Sequence, residues 1–155
     1  MISVTRERPL AYGPDAVWAV LSDPANLPKI MDRITRVEVG AVTGGSRPLT
    51  AHFDFGTQIG QRSAPGVFRT VGRDEVLFES AKPLPLLARW TLQPAGETVV
   101  LTALLRFDLK AMLGPLAMLA PSAMIKARVG AELETALKRT EQLLRSGSAT
   151  KNDLA

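Results

Sequence analysis

The sequence predicts an α+β fold: one curved antiparallel sheet of about six to seven strands closed by a long C-terminal helix, with two short helices after the first strand. Three observations carry this. Apolar and polar residues alternate from Ile2 to Arg8 and again in successive runs from Leu49 to Leu109, which is the period of a half-buried strand. After Ser122 the period becomes helical, with Ile125, Val129, Leu133, Ala136, Leu137, Thr140 and Leu144 on one face. An apolar sheet face must be covered, and that last helix is the one element long enough to cover it.

Each element follows from its residues. Tyr12-Gly13-Pro14-Asp15 turns the first strand into a helix with Val17, Trp18, Val20 and Leu21 at helical spacing, ended by Ser22-Asp23-Pro24. Pro24 to Ile30 reads as a second short helix. Arg33 to Val42 alternates, and Thr43-Gly44-Gly45-Ser46 is a turn. Leu49, Ala51, Phe53 and Phe55 then share one face while Thr50, His52 and Asp54 share the other. Gln58 to Val71 forms the next strand, with Ser63-Ala64-Pro65-Gly66 expected as a bulge or break because proline cannot donate to a central ladder. Glu75 to Ala81, Leu86 to Gln93 and Thr98 to Leu109 complete the sheet, the last with Val99, Leu101, Ala103, Leu105 and Phe107 on one face. Met112 to Pro121 is apolar but interrupted by Gly114-Pro115, so it reads as a short helix or a covering loop. Ser122 can cap the long helix, which is expected to reach about Leu144. Residues 1–145 thus form one domain, and 146–155 a polar tail expected to be disordered.

Composition excludes much chemistry. The 155 residues suit a single domain, and the absence of cysteine removes disulfides, thiolate nucleophiles and sulfur-ligated zinc. One histidine, His52, cannot build a multi-imidazole site, so neither metal nor other cofactor is expected. The net charge of +4 is spread along the chain without a basic block, which argues against nucleic acid as a partner. The N-terminal residues lack the apolar core of a signal peptide, and no apolar run reaches the roughly 20 residues of a membrane span, so a cytoplasmic protein is expected. The apolar content is aliphatic, with 21 Leu, 20 Ala and 12 Val against eight aromatic residues.

The segment Ala11-Tyr12-Gly13-Pro14-Asp15-Ala16-Val17-Trp18-Ala19-Val20-Leu21-Ser22-Asp23-Pro24-Ala25-Asn26-Leu27-Pro28 resembles the first signature of the START-like helix-grip superfamily, abbreviated SRPBCC. The block ending in Gly96-Glu97-Thr98-Val99 and the leucine spacing of the last helix extend the resemblance over Ile2 to Leu144. It implies a sheet gripping the C-terminal helix around a deep pocket for a hydrophobic small molecule. Similar proteins include lipid and sterol carriers and polyketide cyclases, aromatases and dehydrases. After Leu27-Pro28 such proteins usually carry an aromatic residue, where this chain has Lys29-Ile30-Met31.

Candidate site residues follow. A ligand held by burial needs apolar walls, expected from Met31, Phe53, Phe55, Trp90, Leu101 and Leu105 on one side. Met112, Leu116, Met124 and Ile125 are expected on the other, where flexible methionines can adapt to an apolar ligand. Gly114-Pro115 would let the 112–121 segment hinge as a lid, although the same segment could serve a homodimer contact or a transient membrane contact. Catalysis of the cyclase or dehydratase kind would need an acid-base group in the pocket. The candidates are Tyr12, His52 with Asp54 to orient it, or an inward arginine among Arg62, Arg69, Arg89 and Arg106. Alternation points His52, Arg89 and Arg106 outward, which favours a binder over a catalyst.

Overall fold

Alternation becomes a seven-stranded antiparallel sheet in the order β1-β7-β6-β5-β4-β3-β2. The strands are β1 Ile2–Leu10, β2 Ile34–Val39, β3 Ser46–Asp54, β4 Gln61–Val71, β5 Glu75–Ser80, β6 Leu86–Ala95 and β7 Thr98–Phe107. Helices α1 Pro14–Leu21 and α2 Leu27–Ile30 follow β1, with a 3₁₀ turn between them, and α3 Leu109–Leu113 follows β7. A second 3₁₀ turn, Gly114–Met118, leads to α4, Ser122–Leu154. This computed structural model describes all residues but Gln58, Ala120 and Ala155, and the side chains of all but these and 148–154. The tail expected to be disordered therefore lies largely outside the described side chains, and the helix itself continues beyond Leu144.

One face of the sheet forms the core. Ile2, Val4 and Leu10 of β1, Leu49, Ala51 and Phe53 of β3, Ala88, Trp90 and Leu92 of β6, and Val99, Leu101, Ala103 and Phe107 of β7 are buried together. Against them α4 buries Leu133, Ala136, Leu137, Thr140 and Leu144. Thr140 is polar at a fully buried position, and its hydroxyl is satisfied by donating to the Ala136 carbonyl at 2.9 Å. The order of elements, the curved sheet and the long covering helix are those the helix-grip resemblance implies.

α4 lies across β1, α1 and α2. Arg8 of β1 reaches Glu141 with Nε and Nη2, both at 3.3 Å, and Arg6 reaches Glu134 at 3.5 Å. Gly130 is buried beneath the Arg6 guanidinium, where a Cβ would collide with it. The opposite edge, β2, is short and charged, with Arg36 paired to Glu38, which discourages pairing with another chain.

The break expected at Ser63-Ala64-Pro65-Gly66 is absent: β4 runs through it in unbroken register with β3, from Asp54↔Gln61 to Ser46↔Arg69. Proline is tolerated because β4 and β5 pair only from Val67↔Glu79 onward, leaving Pro65 beside a gap in the ladder. The Ser80 hydroxyl closes that gap by donating to the Pro65 carbonyl at 2.9 Å. The irregularity lies instead in β2, where the register shifts between Ile34 and Arg36.

Gly66 is needed for close approach of the two strands: a Cβ there would sit 2.8 Å from the Glu79 carbonyl carbon and 3.1 Å from the Phe78 ring. Because the obstacle is backbone, Gly66→Ala should destabilise by about 2 kcal/mol, read as a lower urea midpoint. An unchanged midpoint would show that β4 and β5 can separate at no cost.

Candidate functional site

The site begins where α4 stands away from the sheet. The apolar row of the helix is buried from Gly130 to Leu144, but Ile125 and Val129 at its start are only half-buried. Between them and one end of the sheet is a cleft of about 370 Å³. That size is near the lower end of the roughly 300–1,000 Å³ of small-molecule sites. Antiparallel pairing assembles its sheet wall from the end of β3 (Phe53), the start of β6 (Leu86) and the end of β7 (Leu105, Phe107), since Leu86 pairs with Phe107 and Ala88 with Leu105. Phe53 and Phe55 stack with ring centroids 5.3 Å apart and planes 9° from parallel, forming one aromatic surface. Met31, Leu84, Leu109, Met112 and Leu113 complete the apolar lining.

The loop after β3 forms part of the rim, with Gly56, Thr57 and Ile59 lining the cleft. Gly56 and Gly60 have φ of 92° and 81°, a region that side chains disfavour, and the Phe55 amide donates to the Gly60 carbonyl at 3.0 Å. Asp54 fixes the start of this loop by accepting from the Gly56 amide at 2.9 Å. It therefore does not orient His52.

Charge enters the cleft at one corner. Arg33, between α2 and β2, donates from Nε at 3.0 Å and Nη2 at 2.8 Å to one oxygen of Glu132, Oε1. The pair ties the start of β2 to α4, and both side chains are about one-third exposed. Arg128, one turn before Glu132, also lines the cleft, is exposed, and makes no hydrogen bond or ion pair with the described residues.

Of the predicted wall residues, Met31, Phe53, Phe55, Leu105, Met112 and Ile125 come together in the cleft. Trp90 and Leu101 do not: they face the same side of the sheet but lie farther along their strands, fully within the core. The Trp90 indole N–H is buried there without a partner among the described residues. Leu116 and Met124 do not line it either. They are exposed, together with Met118 and Leu119, which are 87% and 81% exposed. Tyr12 packs half-buried against the core, away from the cleft.

His52 faces outward, as alternation requires, yet the structure gives it neighbours the sequence did not reveal. Its Nδ1 is 2.9 Å from the Ser63 hydroxyl and its Nε2 is 3.3 Å from Glu38 Oε1. Ser63, His52 and Glu38 thus form a row across β4, β3 and β2. Such residue types can relay a proton, but the row lies on the outer sheet face, opposite the cleft-lining Phe53. Glu38 is held below the usual carboxylate range, chiefly by the Arg36 hydrogen bond and charge. The other strand arginines are also outside: Arg69 approaches Glu79 at 3.9 Å and Arg89 approaches Glu75 at 3.7 Å, while Arg62 and Arg106 are exposed.

Arg33, Arg128 and Glu132 escaped the sequence reading. A signal existed. Ile125, Arg128, Val129 and Glu132 form an i, i+3, i+4, i+7 stripe, so the two charges share a helix surface with residues assigned to the wall.

A family model described as polyketide cyclase / dehydrase and lipid transport matches residues 1–145. No curated protein matches the chain. Solved structures resemble it in fold. A Thermus thermophilus protein shares 16% identity at a TM-score of 0.78, over 95% of this chain and 99% of that one. A STAR-related lipid transfer protein from Xanthomonas axonopodis shares 19% at 0.67, over 91% and 84%. The Zhui aromatase/cyclase from Streptomyces shares 14% at 0.64, over 96% and 93%. Among the described residues no cluster of His, Asp and Glu could hold a metal ion, and no helix is long and apolar enough to cross a membrane.

Because His52 belongs to the outer face, His52→Ala should leave binding of a neutral apolar fluorophore, N-phenylnaphthylamine, unchanged within about twofold. The stability cost should stay near that of a surface substitution, about 0.5 kcal/mol. A larger loss of binding would place His52 in the ligand site.

Proposed function

The chain belongs to the polyketide cyclase / dehydrase and lipid transport family, and from that premise we propose that it binds and carries a hydrophobic small molecule in the cleft between the sheet and the start of α4. The observation that carries this reading is the wall. Two stacked phenylalanines, the leucine-bearing ends of β6 and β7 and two methionines surround space that a close-packed core would have filled. Burying apolar ligand surface there gains roughly 25 cal/mol per Å². Lipid-like, isoprenoid and polyketide-like molecules fit that chemistry. The protein would do this work in the cytoplasm.

An enzymatic use of the same cleft, of the cyclase, aromatase or dehydratase kind, rests on one residue. Glu132 is the one carboxylate lining the cleft among the described residues, and its Oε1 is occupied by Arg33. That oxygen is engaged in tying the start of β2 to α4, so carriage is the better-supported reading.

The exposed Leu116, Met118, Leu119 and Met124 lie in the connection between the cleft-lining Leu113 and Ile125. Residues 109–131 contain Lys110, Lys126 and Arg128 and no carboxylate. Apolar side chains framed by cations suit an anionic lipid surface, where a carrier would exchange its cargo through the adjacent cleft.

Val129→Trp should fill the cleft and weaken N-phenylnaphthylamine binding about tenfold or more while the far-ultraviolet circular dichroism is kept. Undiminished binding by a folded variant would remove the cleft as the site. The paired substitution Met118→Asp and Leu119→Asp should abolish co-sedimentation with phosphatidylglycerol vesicles and leave fluorophore binding intact. Vesicle binding that survives, or a loss of self-association on size exclusion instead, would reassign this surface, in the latter case to a second copy of the chain.

A further inference from the structure

We infer that the molecule held in the cleft is an acidic amphiphile, a single apolar chain or small ring system ending in a carboxylate, with its head at the Arg33, Arg128 and Glu132 corner. This rests on the cleft being the ligand site and specifies what occupies it. The charge count gives the sign. Two guanidiniums and one carboxylate are the charged groups in a mostly apolar wall, so the corner carries one positive charge in excess. Arg33 spends Nε and Nη2 on a single oxygen of Glu132, which leaves that ion pair locally neutral. The excess belongs to Arg128, which makes no ion pair or hydrogen bond with the described residues although Glu132 is one helical turn away.

A ligand that fills the cleft covers part of this corner and takes water from it. A neutral end group would return at most an uncharged acceptor for the waters the Arg128 guanidinium loses, and an ammonium would meet a like charge. A carboxylate matches the guanidinium fork with two parallel, charge-assisted hydrogen bonds. Glu132 limits the head to one negative charge, because a second would lie against its own carboxylate. Its further role is positioning: by holding Arg33 it keeps that cation from competing for the ligand. The size of the cleft agrees with one chain rather than two. Phe53, Phe55, Leu105 and Ile125 line the same cleft and offer the tail an apolar wall.

The test is calorimetric titration of the wild-type protein, Arg128→Gln and Glu132→Gln with dodecanoate and with dodecan-1-ol, below their aggregation thresholds. Dodecanoate should bind the wild type about tenfold more tightly than the alcohol. Arg128→Gln should remove most of that advantage, by weakening dodecanoate more than the alcohol. Glu132→Gln, by freeing Arg33, should raise dodecanoate affinity several-fold. Thermal denaturation of each variant separates loss of the site from loss of the fold, and Arg128, being exposed and unpaired, can be replaced without a structural partner being lost. Equal binding of acid and alcohol by the wild type, or equal effects of Arg128→Gln on both, would overturn the acidic head while the cleft remains the site. Failure of both compounds to bind would overturn the cleft reading itself, and the head assignment with it.

Discussion

The structure depends on how much of α4 is apolar enough to lie on the sheet. From Gly130 to Leu144 the helix buries Leu133, Ala136, Leu137, Thr140 and Leu144 against the sheet and the early helices, and Arg6 and Arg8 fasten β1 to its side. Before Gly130 the row thins to Ile125 and Val129, and charges occupy the neighbouring positions. A twisted sheet curves away from a straight helix, so contact made at one end opens space at the other. The cleft results from that geometry. Its walls are whichever strand ends happen to reach the open end.

This explains why a sheet so regular in pattern contains a site so local. Trp90, Leu101, Leu86 and Leu105 all alternate correctly and all face inward. Only the last two lie near the open end, where β6 begins and β7 finishes. Trp90 and Leu101 sit where α4 and its neighbours have already closed the interior, and they serve as core. Period-two alternation specifies the face of a residue but not its depth along the strand, which requires the register of the neighbouring strands and the place where the helix lifts away. The elements were therefore legible from the residues, while the boundary between core and cleft was not.

Two further features lay beyond local reading for the same reason. The Arg33 to Glu132 pair joins residues 99 positions apart, and nothing in either neighbourhood names its partner. Pro65-Gly66 carries the composition of a strand break, but β5 leaves β4 unpaired beside Pro65 and approaches closely enough at Gly66 to require glycine. The break signal was overridden by tertiary pairing. His52 shows the converse: its outward direction was readable, whereas its contacts with Ser63 and Glu38 arise from strands paired on either side. The aliphatic surplus of the composition is shared between a plain core and a cleft wall, so composition alone could not separate the two uses.

The central claim is that the space under the first turns of α4 is a binding site for an apolar molecule and not a gap in packing. Methyl-resolved NMR titration with dodecan-1-ol tests it most directly. The account predicts shifts at Leu105, Met112, Ile125 and Val129, which line the cleft, and constant positions for Leu10, Val99 and Leu137 in the closed core. Shifts confined to the exposed Met118 and Leu119, or none at any methyl, would contradict it.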